Sequence, residues 1–204
     1  MSTRKPVIGL VGGIGAGKSA AAEAFAKRGG RIVAGDPAGH AALLDPEIRA
    51  RVMSRWPAAM SRDGVIDRKT LGRIVFADPA QLEELEAIVF PWIEDRLRQE
   101  IAAAQAEPAV RFVVLDAAIM LEAGWQRVCD KVVFVDVPRA MRVKRVAERG
   151  WNPEDLDRRE GTQMALADKQ ARADAVLTNT AGMDELQNNV DALLAQWGLA
   201  AQPT

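Results

Sequence analysis

The chain alternates between short apolar runs and longer segments in which apolar residues recur every three or four positions. The runs are rich in β-branched residues and occupy residues 7–11, 31–33, 112–115, 132–135 and 175–177. Continuous runs of this kind are typical of strands buried on both faces. Helical spacing follows at residues 19–28, 138–149, 153–173 and 184–197. Strands that alternate with helices predict an α/β fold, with a five-stranded parallel sheet flanked by helices.

Residues 40–106 interrupt this alternation. Strand-like runs are missing there, and apolar residues recur at helical spacing, as in residues 82–97. Turn signals divide the segment at residues 45–46, 62–64 and 77–79. We therefore predict a helical insertion on one side of the sheet.

Composition narrows the classes of partner. The 27 Lys and Arg balance 28 Asp and Glu, which argues against a whole-chain nucleic-acid binder. One cysteine, Cys129, and one histidine, His40, exclude an internal disulfide and a His/Cys metal site. The first apolar run is too short for a signal peptide, and none approaches the ~20 residues of a membrane span. We expect a cytoplasmic protein without membrane or nucleic-acid partners.

The glycine-rich segment Gly12-Gly13-Ile14-Gly15-Ala16-Gly17-Lys18-Ser19 matches the phosphate-binding pattern G-x-x-x-x-G-K-[ST]. Glycines allow the backbone to fold around a phosphate with its N–H groups inward, and the following helix directs its positive end to the same anion. Lys18 supplies a charge for the β- and γ-phosphates, and the Ser19 hydroxyl is a ligand for Mg²⁺. We predict that ATP with Mg²⁺ binds at residues 12–20, Ala20 included.

Such a loop occurs in GTPases, motor ATPases and small-molecule kinases. Guanine-selective switches usually carry Asn-Lys-x-Asp after a strand, whereas the nearest string here, residues 188–191, lacks the lysine and lies in a predicted helix. Motor ATPases are usually larger. The size of the chain, its helical insertion and its Arg-rich segment after the fourth strand favour a small-molecule kinase.

Several segments together resemble the dephospho-coenzyme A kinase family. They are residues 8–19, with a double glycine before Ile14; residues 34–40, with Asp36; residues 63–71 with 75–76; and the later positions Arg145, Arg149, Arg159, Gln163, Lys169 and Asn179. The resemblance covers nearly the whole chain. Two elements depart from the family pattern, Phe90 in place of a histidine before Pro91 and Ala118 in place of a proline, and both lie where the acceptor site is expected.

The resemblance implies a P-loop NTPase fold with a nucleotide-binding core at residues 1–39, 108–139 and 170–204. It also implies a helical acceptor domain at residues 40–107 and a lid at residues 140–169.

The expected reaction is ATP-dependent phosphorylation of the ribose 3′-hydroxyl of dephospho-coenzyme A, the last step of coenzyme A synthesis. A kinase for another small acceptor, such as a nucleoside or nucleoside monophosphate, is the alternative. A nucleotide-dependent regulatory protein is a rival of another class. We expect a monomer or a weak homo-oligomer.

Asp36, Lys18 and Arg145 are the candidate catalytic residues, and Arg142 and Arg149 are further candidates for binding the nucleotide. Asp36 follows the second predicted strand, at the edge where open α/β folds bind substrates, and is the candidate for orienting the ribose hydroxyl and accepting its proton. A helix cap or turn is its alternative role. Arg142, Arg145 and Arg149 are spaced by three and four positions, so they share a helix face. We interpret that face as a lid that closes on the triphosphate, with Arg145 also catalytic; a solvated face is the alternative.

Two polar residues follow predicted strands. Asp116 is a Walker-B-like candidate for holding Mg²⁺, and a turn cap is the equal alternative. Asn179 lies where adenine is often held in such folds, and a turn-forming asparagine is its alternative.

Overall fold

The computed structural model describes residues 4–61 and 63–200, and in this part of the chain five strands form one parallel sheet. The strands are β1 Val7–Gly12, β2 Gly30–Ala34, β3 Phe112–Asp116, β4 Lys131–Asp136 and β5 Ala175–Thr178. Their order across the sheet is β2-β3-β1-β4-β5, with every neighbouring pair parallel. The predicted five-stranded parallel sheet is confirmed, at the positions where the β-branched runs indicated strands.

β1 is the central strand, and all six of its residues are buried. It pairs with β3 on one side and with β4 on the other. Leu10 is in register with Asp116, and Gly12 is in register with Val135. The carboxyl ends of β1, β3 and β4 therefore lie at the same edge of the sheet, where open α/β folds bind their ligands.

The helices follow the strands in the order that the sequence predicted. They are α1 Lys18–Ala26, α2 Gly35–Ala42, α3 Pro46–Arg55, α4 Arg68–Val75, α5 Pro79–Ala106, α6 Arg139–Ala147, α7 Pro153–Glu160, α8 Leu166–Ala171 and α9 Met183–Gln196. The chain forms two compact units, one made of the residues up to Ala34 and from Glu100 onward, the other Gly35–Gln99.

The first unit contains the sheet and one continuous apolar core. That core joins β1, β3 and β4 to α1 and α9. Phe25 of α1 meets Phe112 of β3 edge to face, with ring centroids 6.2 Å apart. Arg28, just after α1, donates from Nε and Nη2 to the two carboxylate oxygens of Asp191 on α9, at 2.6 and 2.7 Å. These contacts fix α1, and with it the loop that precedes α1, on the sheet.

The second unit has its own apolar core around Trp56, whose indole Nε1 donates to Gln81 Oε1 at 2.9 Å. Asp45 accepts hydrogen bonds from the first turn of α3 and Asp67 from that of α4, so each caps its helix. The predicted helical character of this segment is confirmed by α2, α3, α4 and α5. The boundaries of an acceptor domain and of a lid stay predictions.

Two predicted helices have different bounds. We expected one helix over residues 153–173, which is wrong: α7 ends before Gly161, and α8 begins at Leu166. The intervening Met164 N–H donates to Glu122 Oε1 at 3.0 Å, a contact between distant parts of the chain that helical spacing does not reveal. The helix expected over residues 138–149 ends at Ala147, and Gly150 follows with a φ of +80°.

α5 is long, with 28 residues, and it continues through Pro91. Proline has no backbone N–H, so the helix lacks one of its internal hydrogen bonds at this point. No helix of residues 4–61 or 63–200 combines the length and the apolar character that crossing a bilayer requires.

Cys129 is a small apolar filler beneath β1. Its Sγ lies 3.7 Å from Met120 Sδ, and a Cβ placed on Gly9 would come within 2.8 Å of the same sulfur. Burial, and to a smaller extent the negative charge of Asp130, raises the pKa of the thiol to about 12.

We predict that Cys129 in the folded protein reacts slowly with N-ethylmaleimide at pH 8. The thiolate is the reactive form, and an unperturbed thiol has a pKa of about 8.5, so labelling should accelerate at least about 100-fold in denaturing urea. Mass spectrometry of labelled protein over time measures both rates. Equal rates in native and denatured protein would show that the thiol is not buried.

Candidate active site

The glycine-rich loop connects the end of β1 to the start of α1. Gly15 and Gly17 have φ angles of +78° and +83°, a region that L side chains rarely adopt. Gly17 is the N-cap of α1, and no side chain caps the helix there. The first turn of α1 also contains no acidic residue. An N-terminus of this kind, preceded by a glycine-rich loop, presents backbone N–H groups and a positive dipole end to an anion.

Lys18, Ser19 and Asp116 lie at the mouth of this loop. Lys18 begins α1 and is half-buried, and Ser19 beside it is exposed. Asp116, the last residue of β3, accepts a hydrogen bond from the Ser19 hydroxyl to its Oδ2 at 3.1 Å. A hydroxyl and a carboxylate side by side form the oxygen donor set that Mg²⁺ uses beside phosphates, so these residues fit the predicted ion.

Arg142 and Arg145 of α6 lie against the outer side of the loop. Arg142 Nη1 donates to the carbonyl of Ile14 at 3.3 Å, and Arg145 Nη1 donates to the carbonyl of Ala16 at 3.2 Å. Arg142 is only 4% exposed and forms an ion pair with Glu160 of α7. Arg149, in contrast, is exposed and lies two residues beyond the end of α6. The structure thus brings two of the three predicted arginines to the loop.

Asn179 follows β5 directly and is buried, with 6% of its surface exposed. Its side-chain Nδ2 donates to the carbonyl of Ala16 at 2.9 Å. Its own carbonyl accepts a hydrogen bond from Arg145 Nη2 at 2.9 Å. In this arrangement the amide side chain of Asn179 contacts the backbone of the phosphate-binding loop.

Asp36 belongs to the second unit. It is the second residue of α2, follows the end of β2 by two positions, and is exposed. In the same unit, His40 Nε2 is in hydrogen-bond contact with Arg68 Nη2.

Two ion pairs, of which the first lies beside the loop, were not predicted from the sequence. Glu160 neutralises Arg142 from a different helix. Lys169, which is 1% exposed, pairs with Glu122 Oε1 at 2.9 Å and donates to Gln163 Oε1 at 3.1 Å. The only signal for the second pair was the spacing of Gln163 and Lys169, and the first pair joins residues with no informative spacing.

A sequence model of the dephospho-CoA kinase family (CoaE) matches residues 6–185, which include the loop, Asp116 and Asn179. The chain belongs to the dephospho-CoA kinase family. Two relatives called dephospho-CoA kinase illustrate the similarity. The protein of Methylococcus capsulatus is 34% identical over 198 residues, which are 96% of this chain and 98% of the relative. That of Latilactobacillus sakei is 33% identical over 189 residues, 92% and 93% of the two chains.

Solved structures share the fold of this chain. A crystal structure of a Thermus thermophilus protein superposes with a TM-score of 0.83 at 31% identity, covering 95% of this chain and 98% of that one. Dephospho-CoA kinase from Campylobacter jejuni shares the fold with a TM-score of 0.68 at 21% identity, covering 94% of this chain and 96% of that one. Shikimate kinase from Acinetobacter baumannii shares it with a TM-score of 0.55 at 16% identity, covering 94% of each chain. The predicted P-loop NTPase fold and the predicted kinase class are both confirmed.

Gly17→Ala is predicted to weaken ATP binding by at least about tenfold. A methyl group at this position is strained at φ +83° and would lie 2.5 Å from Asn179 Nδ2. The loop must therefore shift away from its phosphate-binding shape, and a loss of about 1.4 kcal/mol already amounts to tenfold. Isothermal titration calorimetry with ATP measures the effect.

Gly198→Ala is the matched control, because Gly198 also has a positive φ, +68°, but nothing lies within 4 Å of an added Cβ. It should lower thermal stability through backbone strain and leave ATP affinity unchanged. An equal loss of ATP affinity in the two variants would show that the steric contact at Gly17 is unimportant.

Proposed function

We propose that this protein transfers the γ-phosphoryl group of ATP to the ribose 3′-hydroxyl of dephospho-coenzyme A, producing coenzyme A and ADP. The observation that carries the proposal is the family match over residues 6–185, which runs through the nucleotide loop and the whole second unit. The geometry of the loop supports the donor half of this reaction, which is the binding of ATP. The family match supports the acceptor half, which is the identity of the molecule that is phosphorylated. The cytoplasmic location and the monomeric or weakly oligomeric state stay predictions.

The donor half depends on the positive electrostatic potential of groups that are held in place around the loop. The N–H groups of the loop and of the start of α1 would surround the phosphates, and Lys18 would place an ammonium beside the β- and γ-phosphates. Arg145 lies close to the loop and would add a charge that stabilises the transferring group. Arg149 stays a predicted ligand from the segment beyond α6.

Ser19 and Asp116 would hold Mg²⁺, Ser19 as a direct ligand and Asp116 at its side. When bound, Mg²⁺ offsets the negative charge of the β- and γ-phosphates. The hydrogen bond from the Ser19 hydroxyl to Asp116 holds both oxygens at one edge of the loop.

Asp36 is the proposed general base. Its carboxylate would orient the ribose 3′-hydroxyl and accept its proton as that oxygen forms a bond to the γ-phosphorus. The bond between the γ-phosphorus and the bridging oxygen of ADP breaks in the same displacement, and ADP leaves with the electron pair. Asp36 then releases the proton to solvent. The exposed position of Asp36 at the start of α2 is compatible with access by a substrate.

An acceptor panel tests the proposed function. ADP release is measured with ATP and Mg²⁺ in the presence of dephospho-coenzyme A, nucleosides or nucleoside monophosphates. We expect efficient release with dephospho-coenzyme A alone. Activity confined to nucleosides or their monophosphates would assign another acceptor, and ATP hydrolysis without any phosphorylated acceptor would favour a regulatory protein.

Asp36→Asn is predicted to lower kcat by about 10²- to 10⁴-fold, the usual contribution of a general base. ATP affinity should change little, since the amide replaces a group that acts on the acceptor. Steady-state kinetics and calorimetric ATP titration measure the two quantities. Asp95→Asn, at an exposed position of α5 in the same unit, should retain wild-type kinetics. Full turnover in Asp36→Asn would remove Asp36 from the mechanism.

Asp116→Asn is predicted to raise the Mg²⁺ concentration for half-maximal activity by about 10- to 100-fold, as is typical when a partner of a metal site is lost. The Asn amide retains the size of the carboxylate but lacks its charge. Asp184→Asn, at an exposed position in the first turn of α9, is the matched control. An unchanged Mg²⁺ requirement in Asp116→Asn would leave Asp116 as a turn residue only.

A further inference from the structure

The outer side of the phosphate-binding loop receives a set of side-chain donors. Arg142 donates to the carbonyl of Ile14, Arg145 to those of Gly15 and Ala16, and Asn179 to that of Ala16. The donors come from α6 and from the residue after β5, which are more than 120 positions away in the sequence. Three consecutive carbonyls of the loop are thus held by groups outside it.

The directions of these carbonyls also determine the directions of the N–H groups in the same peptide units. A trans peptide unit is planar, with its C=O and N–H pointing in opposite directions. A donor that fixes the direction of a loop carbonyl therefore also fixes the direction of the N–H in the same peptide unit. For the Gly15 carbonyl, that N–H belongs to Ala16 and donates within the loop to the Gly13 carbonyl at 3.1 Å. For the Ala16 carbonyl, that N–H belongs to Gly17, the N-cap of α1.

Asn179 is a buried donor whose position is fixed by backbone contacts on both sides of its peptide unit. It has 6% of its surface exposed, its backbone N–H donates to the Asp136 carbonyl at 3.1 Å, and its own carbonyl is held by Arg145. Its Nδ2 to Ala16 oxygen distance of 2.9 Å is shorter than the distances from Arg142 and Arg145 to the loop carbonyls, which are 3.2 to 3.4 Å. The absence of a side chain at Gly17 leaves the space that this amide needs.

We propose that Asn179 is a positioning residue for the phosphates and not a contact for adenine. By holding the Ala16 carbonyl outward, it directs the Gly17 N–H and the start of α1 toward the triphosphate. The inference rests on the donor half of the proposed function, namely that the loop binds a triphosphate, and does not depend on the acceptor.

Asn179→Leu separates the two roles, because leucine branches at Cγ as asparagine does and has no donor. Its affinity is measured by calorimetry for ATP and for inorganic tripolyphosphate, which has phosphates and no base. Positioning predicts that the dissociation constants of both ligands rise by a similar factor, about tenfold or more, as expected for the loss of a buried hydrogen bond worth at least about 1.4 kcal/mol. A loss with ATP and none with tripolyphosphate would assign Asn179 to the base and overturn the proposal.

Asn189→Leu is the matched control. Asn189 Nδ2 donates to the carbonyl of Thr178, the residue before Asn179, at 3.1 Å, so the same bond type is lost one residue away without a contact to the loop. This variant should bind both ligands like the wild type. If both variants weakened both ligands equally, the effect would be general destabilisation and the proposal would fail.

Asn179→Asp keeps the test decisive if the leucine variant does not fold. Aspartate has nearly the same shape, but it places an acceptor against the Ala16 carbonyl, so tripolyphosphate should bind at least as weakly as to Asn179→Leu. Wild-type affinity in a folded Asp variant would contradict the inference. Tight binding of both ligands by the wild type without phosphorylation of dephospho-coenzyme A would contradict the proposed acceptor and leave this inference intact.

Discussion

The site depends on one constraint: the backbone N–H groups of the loop must point inward, toward an anion. A side chain cannot take the place of these backbone N–H groups, so their direction has to be set by the parts of the chain that pack around the loop. Glycines make the required conformations accessible, as the φ values of Gly15 and Gly17 illustrate. The surrounding donors then select this conformation, because each outward carbonyl is paired with Arg142, Arg145 or Asn179. The loop is therefore a product of β1, α1, α6 and the end of β5 together.

The parallel sheet supplies the second part of the site. Register between β1 and β3 brings Asp116 level with the last residues of β1, and the helix that follows β1 presents Ser19 to it. Residues almost a hundred positions apart thereby form one oxygen pair. The packing of α1 on the sheet, through Phe25 and the Arg28–Asp191 pair, keeps Ser19 in place. Core packing and site geometry are thus connected through a single helix.

Local patterns predicted the parts of the molecule that local physics determines. β-Branched runs located the strands, and the glycine spacing with Lys18 located the loop. The side chains that contact the loop were harder to predict from the sequence. Arg142 was expected to face a triphosphate, whereas its guanidinium is buried against the loop and paired with Glu160. Such a contact depends on how α6 and α7 pack, and neither residue's neighbours in sequence encode it.

The same reason explains the break between α7 and α8. A tertiary hydrogen bond from Met164 N–H to Glu122, beside buried Lys169, competes with helix continuation, and helical periodicity alone does not register it. The family resemblance included Gln163 and Lys169 without a physical role for either. The structure assigns them to a buried polar cluster that joins the segment after β3 to α8.

A crystal structure with a non-hydrolysable ATP analogue, Mg²⁺ and dephospho-coenzyme A would test the central claim most directly. We expect phosphates on the N–H groups of the loop and of the start of α1, with the Ala16 carbonyl still bonded to Asn179 and the ribose 3′-hydroxyl within hydrogen-bond distance of Asp36. Phosphates bound away from the loop, or a 3′-hydroxyl distant from both Asp36 and the γ-phosphate, would contradict it.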